Sequence, residues 1–192
     1  MTSMKENEMI GCLREYLNDK RVEHSISTRD MAVRLAQKFG ANVEAAKVAG
    51  IFHDIAKQLP KEKKLELCIE YDIPVDEIMQ ENPELLHGFI GAEIIKRNYD
   101  IDNSDILNAV RYHTTGRRGM SLLEKVVYLA DLIEPGRNFD GVDEIRTAAF
   151  RNLDGAMLMA AKNVMSFILY HDLPMHPLTL DAYNDMLRRI ER

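Results

Sequence analysis

Apolar residues recur three and four positions apart along nearly the whole chain, the spacing of one helix face, and nowhere alternate as a half-buried strand requires. Met9, Ile10, Leu13 and Leu17 mark a first helix over 4–18, and the charged run Asn18-Asp19-Lys20-Arg21 reads as a break after it. Val22, Ile26, Met31, Leu35 and Phe39 mark a second over 22–39, stopped by Gly40, with His24 in its first turns. A third runs from Val43 to Phe52. Pro60 opens a charged helix over 61–71, and Pro74 and Pro83 bracket a short one. From Glu84 the helical pattern resumes through Leu86, Ile90 and Ile94, with Gly91 permitting a close neighbour. Ser104 is a candidate cap for a helix over 105–113, and Ser121-x-x-Glu124 has the form of a capping box before a helix over 125–134. Residues 142–170 read as one or two helices, with Met157, Val164, Ile168 and Leu169 on the buried face and Met157, Met159 and Met165 as core packing. A last helix spans 178–192. The predicted fold is all-α, a single domain over 1–192 with a core at about 20–170 and terminal helices packed on it.

Composition narrows this picture. A 46% apolar content supports a full core for 192 residues. The net charge of −6 argues against a broad nucleic-acid surface but leaves room for a local cationic pocket. No apolar run reaches the roughly 20 residues of a membrane span, and the N-terminus lacks a signal-peptide core. The two cysteines, Cys12 and Cys68, form no metal or redox motif and read as reduced thiols. A cytoplasmic location is expected, with a homodimer compatible through an apolar helix face.

The hydrophobic pattern leaves six residues unexplained. Val48 to Phe52 ends abruptly in His53-Asp54, and His24, His87, His113 and Asp131 lie on or at the ends of other apolar segments. Ionisable groups set among apolar residues are costly unless paired or bound to metal. One buried histidine is usually a hydrogen-bonded core residue; six such groups on separate predicted helices, the adjacent pair apart, ask for a common cause. Four imidazoles and two carboxylates without a thiolate suit iron, manganese or zinc. Six ligands exceed what one catalytic ion takes, so two ions about 3.5–4 Å apart, bridged by a carboxylate, are expected. Two dications against two aspartates leave a positive site suited to a phosphate chain.

The order H…HD…H…H…D resembles the HD-domain superfamily of metal-dependent phosphohydrolases. Ala49-Gly50-Ile51-Phe52-His53-Asp54-Ile55-Ala56-Lys57, Leu86-His87-Gly88, His113-Thr114-Thr115-Gly116 and Leu129-Ala130-Asp131-Leu132-Ile133-Glu134-Pro135-Gly136-Arg137 are similar to its YqeK branch. The resemblance implies a helical HD bundle with a buried di-iron-type centre and symmetrical hydrolysis of diadenosine tetraphosphate to two ADP. It implies one ion on His24, His53, Asp54 and Asp131, and the other on His87, His113 and the bridging Asp54.

In that reading Asp54 and Lys57 are the catalytic residues, Lys57 lying one helical turn beyond His53 and Asp54. Lys57, Thr114, Arg118 and Arg137 are candidates for the phosphate chain, and Glu134 is an alternative partner for Arg137. His171-Asp172 and His176 have no further ligands behind them and read as a helix end, while Lys61-Glu62-Lys63-Lys64 reads as a solvated face. Two other functions stay open: a nucleotidase or pyrophosphohydrolase of the same type, and a metal-bearing nucleotide-binding regulator with little turnover.

Overall fold

In a computed structural model, which describes residues 4–190, the chain folds into eleven α-helices, with no strand among the described residues. They are α1 (Glu6–Leu13), α2 (Asp19–Phe39), α3 (Val43–Phe52), α4 (Lys61–Glu70), α5 (Glu77–Glu81), α6 (Leu86–Asn98), α7 (Ser104–Arg111), α8 (Leu122–Ile133), α9 (Val142–Ala149), α10 (Leu153–Tyr170) and α11 (Pro177–Ile190); a 3-10 turn (Pro83–Leu85) leads into α6. The expected end of the last helix at 191–192, and part of the N-terminal segment judged free of a signal-peptide core, residues 1–3, lie outside the described residues.

Capping accounts for most differences from the expected boundaries. The charged run at 18–21 is a helix start and not a break: Asn18 accepts the Arg21 N–H at 3.0 Å and Asp19 faces the positive end of the helix dipole. Helix α1 correspondingly ends at Leu13, and a turn carries the chain to Asn18. Asn103, not Ser104, caps α7, accepting from the N–H groups of Asp105 and Ile106. Ser121 accepts from the Glu124 N–H as expected, but the Glu124 carboxylate does not complete a box: buried, it takes the two-pronged Arg117 guanidinium. The stretch 142–170 is two helices, with Asn152 capping the second.

Helix α3 and the turn after it form the apolar centre, with Ile51 and Phe52 of the helix and Ile55 and Ala56 of the turn fully buried. It packs against α1, α2, α7 and α8; α6 packs on α4 and α7, and α10 on α8, α9 and α11. Each fully buried Ile, Leu or Phe contributes about 1.5–3 kcal/mol relative to exposure. Two glycines set how closely the helices cross. A Cβ on Gly50 would lie 2.7 Å from the Arg29 Cα of α2, and one on Gly88 would lie 2.7 Å from the Arg111 carbonyl at the end of α7. Gly91 is a gentler approach, 3.2 Å from the Ile55 side chain.

Three packing expectations are corrected. Lys64 is buried against Glu84, because its stem joins the inner face of α4 beside Leu67 and Cys68. Leu169 is 67% exposed and Met159 is 38% exposed, although Met157 is fully buried: the later turns of α10 carry apolar residues on their outer side as well. His176 is buried and bonds Asp76 at 2.8 Å, joining the start of α11 to the cap of α5, whereas His171 is exposed and bonds the Phe167 carbonyl at its helix end. Both cysteines are free thiols.

Candidate metal centre

Three of the four histidines are oriented by the same local device. The Nδ1–H of His53, of His87 and of His113 donates to the carbonyl three residues earlier: Gly50 (2.8 Å), Glu84 and Val110 (2.7 Å). A carbonyl only accepts, so each Nδ1 carries the proton and each Nε2 presents a lone pair. His24, inside α2, instead directs Nδ1 at Glu134 Oε1, 3.2 Å away and 110 residues along the chain.

The Nε2 atoms converge. His24 and His53 approach to 3.2 Å, and His87 and His113 to 2.9 Å. Asp131 Oδ1 lies 3.0 Å from His24 and 3.7 Å from His53. Asp54 stands between the pairs and divides its oxygens. Oδ2 faces His53 at 3.5 Å and His24 at 3.6 Å, while Oδ1 faces His87 at 3.1 Å and His113 at 3.6 Å. The ligand atoms of His24, His53 and Asp131 lie within 4.8 Å of one another, as do those of His53, Asp54 and His113. His53, Asp54, His87 and His113 are buried.

This donor set fits divalent cations. Lone pairs 2.9–3.2 Å apart repel unless a cation lies between them, and the nearby Thr114 hydroxyl, 3.1 Å from His113 Nε2 and 3.3 Å from His87 Nε2, has one hydrogen to offer. The titration behaviour agrees. Burial drives His87 down to about 4, reinforced by His113 and Lys57 and only partly opposed by Asp54, so its ring stays neutral. Burial also acts against charge on Asp54, but His53, His113 and His87 hold it well below the usual carboxylate range. Asp131 is lowered too, burial being outweighed by His24, His53 and Arg137. At His53 burial is outweighed by Asp54 and Asp131, which raise its pKa. A position that attracts a proton so strongly attracts a metal ion in its place.

A model of the HD domain matches residues 21–136. The chain is 41% identical to the symmetrical bis(5'-nucleosyl)-tetraphosphatase of Bacillus subtilis, over 94% of this chain and 97% of that one. It is 38% identical to the protein of the same name from Halalkalibacterium halodurans, over 96% and 98%. This chain belongs to the HD domain family. An HD superfamily hydrolase from Clostridium acetobutylicum, described as involved in NAD metabolism, superposes with a TM-score of 0.93 at 41% identity, covering 97% of this chain and 98% of that one.

Around the HD cluster, the remaining expected residues fall at different distances. Thr114 sits against two imidazoles. Arg137 donates to the Asp131 carboxylate and, at 2.8 Å, to its carbonyl. Lys57 lies not in the continuation of α3 but in the turn after it, its ammonium 3.4 Å from Glu84 and close enough to His87 to depress its basicity. Arg118 is exposed, and its charge acts on Asp185 of α11; it is not brought to the cluster. Glu134 serves His24 and the Gly136 N–H (2.6 Å) more closely than Arg137, 3.9 Å away. Arg146 fixes the turn bearing these groups by donating to the carbonyls of Ile133, Glu134 and Arg137. The sequence reading missed Arg21, whose guanidinium donates to Asp54 Oδ2 at 2.9 Å. Its signal was the spacing of three residues to His24, hidden by reading 18–21 as a break.

Proposed function

We propose that this HD domain protein hydrolyses diadenosine tetraphosphate symmetrically to two ADP. The observation that carries the reading is the divided Asp54 carboxylate, one oxygen toward each imidazole pair, which is the arrangement two bridged cations need. His24, His53, Asp131 and Asp54 Oδ2 would hold one ion, and His87, His113 and Asp54 Oδ1 the other. Imidazoles and hard carboxylates suit iron, manganese or zinc, and iron is the ion that the family resemblance implies. The names of the relatives supply the substrate.

Bound divalent ions supply a hydroxide from water near neutral pH and withdraw charge from phosphate oxygens. The chain's own groups do the rest. Asp54 holds the two halves of the site in register. The Nδ1 bonds aim the four imidazoles. Thr114 offers a hydroxyl beside the His87/His113 pair, and Lys57 and Arg137 offer cations to the phosphate chain from opposite sides. One water is consumed, the anhydride between the second and third phosphates breaks, and each half leaves as ADP. A nucleotide substrate of this kind suits the cytoplasm; among the described residues no helix is long and apolar enough to cross a membrane.

The test is product identification in ¹⁸O-labelled water. The reading expects ADP alone, with one label per two ADP. Formation of ATP plus AMP, or preference for mononucleotides, would overturn it.

A further inference from the structure

Lys64 carries a charge that the apolar core does not account for. Its side chain is 1% exposed, on the inner face of α4 beside Leu67 and Cys68. A buried ammonium is costly unless paired. Among the described residues its partner is Glu84, whose Oε1 lies 2.5 Å from Nζ. Glu84 stands on the 3-10 turn Pro83–Leu85, where the proline ring fixes the backbone at the first position. Its other oxygen, Oε2, faces the Lys57 ammonium at 3.4 Å. Its carbonyl accepts from His87 Nδ1. One residue thus ties together a buried cation of α4, the lysine three positions past Asp54 and an imidazole of the centre.

Alone, the Lys57–Glu84 pair would fix little. The two side chains are 29% and 57% exposed, and pairs of that kind lose most of their attraction to solvent screening and side-chain entropy. Lys64 changes this. Its buried ammonium has one place to go, so the carboxylate is held from behind and Oε2 keeps its direction. Charge follows the same logic. One carboxylate between two ammonium groups leaves a net positive charge: Lys64 answers Glu84, and Lys57 keeps its own for an anion. A lysine ammonium rides on a flexible four-carbon stem. An anchored anion beside it keeps that ammonium on the His87 side of the centre, near enough to lower the basicity of the ring.

We propose, resting on the hydrolase reading above, that Glu84 is a positioning residue: anchored by Lys64, its carboxylate holds the Lys57 ammonium where the phosphate chain meets the His87/His113 half of the centre. Glu84 itself touches no substrate and acts through Lys57. Because its carbonyl also aims His87, a single residue of the 3-10 turn sets the spacing between cation and imidazole. A Glu84 that served only to neutralise Lys64 would become dispensable once Lys64 is made apolar.

The test compares metal-loaded K57A, E84Q, K64M, K57A/E84Q and K64M/E84Q with the wild-type holoenzyme. Four quantities are read: kcat and KM for diadenosine tetraphosphate, the dissociation constant of ADP by calorimetry, and metal content by mass spectrometry. E84Q keeps its metal, because His87 bonds the backbone carbonyl and not the side chain. It loses about tenfold in kcat/KM and binds ADP about threefold more weakly, within the range of a charge-assisted hydrogen bond. On the K57A background the same change alters both quantities less than about twofold, since no ammonium remains to be held. K64M, which frees the carboxylate from its anchor, loses about threefold in kcat/KM, and K64M/E84Q falls to the level of E84Q. An equal loss from E84Q with or without Lys57, or wild-type turnover in K64M/E84Q, would overturn the proposal and leave Glu84 a counter-ion of Lys64. Should E84Q fail to fold with Lys64 unpaired, K64M/E84Q, which buries no charge there, takes its place in the comparison with and without K57A. A wild type that forms no ADP from the dinucleotide breaks the hydrolase reading instead; the ADP constants then still decide whether Glu84 acts through Lys57.

Discussion

Replacing Gly88 by alanine tests whether the crossing of α6 over α7 sets the His87/His113 half of the centre. The new Cβ would lie 2.7 Å from the Arg111 carbonyl oxygen and 3.0 Å from that of Val110, up to 0.7 Å inside the 3.4 Å at which ordinary contact begins. Both obstacles are backbone, so no side-chain rotation relieves them. The Val110 carbonyl is also the acceptor that aims His113, and His87 is the residue before Gly88. Relief of several tenths of an ångström must therefore move one imidazole or the other, whereas a metal site tolerates about 0.2 Å in its bond lengths. Overpacking of this kind costs about 1–3 kcal/mol, a fall in Tm of roughly 2–12 °C at this chain length. The expected variant is folded, carries about half the wild-type metal, and loses about a hundredfold in kcat, the scale of an ångström-level misplacement. Gly91→Ala is the control, because its neighbour at 3.2 Å is the Ile55 side chain, which can give way; it should cost less than about 1 kcal/mol. Calorimetry, mass spectrometry of bound metal and turnover are the assays. G88A with full metal and wild-type turnover would refute the reasoning.

Other perturbations separate the parts of the centre. Asp54→Ala removes the carboxylate shared by the two imidazole pairs; bound metal should drop below one ion per chain and turnover by more than about a thousandfold, and a variant retaining both would remove the proposed bridge. Glu134→Gln takes the anion from His24 Nδ1 and should weaken metal binding about 10–100-fold, measured by competition with a chelator. Chelated protein should be most stable near pH 6.5. Below that, His87 stays neutral in the fold down to about 4 while the unfolded chain binds its proton near 6.5, so stability falls with pH by on the order of 3 kcal/mol. Asp54, lowered in the fold, adds loss in the same direction below its ordinary value of 3.8. Above pH 6.5, His53, raised in the fold, gives up its contribution as its proton leaves. Denaturant titrations that show a flat profile from pH 4 to 6.5 would contradict this.

The six cluster residues were legible because each broke a local rule, an ionisable group where periodicity called for an apolar one. The helices were legible for the complementary reason that their apolar spacing was regular. Contacts between segments distant in the chain were not. Nothing near Lys64 announces that Glu84 will receive it, and nothing around Gly50 or Gly88 says which backbone will cross there. Arg21 was hidden by a misread cap, since Asn18 and Asp19 look alike as a loop or as the first turn of α2.

The same division between local and distant runs through the centre itself. His53 and His113 stand just past helix C-termini, where carbonyls lack intrahelical partners, and His87 follows the 3-10 turn that holds Glu84; each spends Nδ1 on the carbonyl three residues back. Their aim is built into short stretches of chain and needs no tertiary partner. His24 lies within α2, where backbone carbonyls are committed to the helix, so its aim depends on Glu134, delivered by the turn after α8 that Arg146 holds. The His24 half should therefore be the more easily disturbed. Glu134→Gln should release metal from that half first and leave the His87/His113 half loaded, the reverse of Gly88→Ala. Spectroscopy of the two variants, each carrying one ion, would show different ligand fields if this is right, and the same one if the two halves are equally rigid.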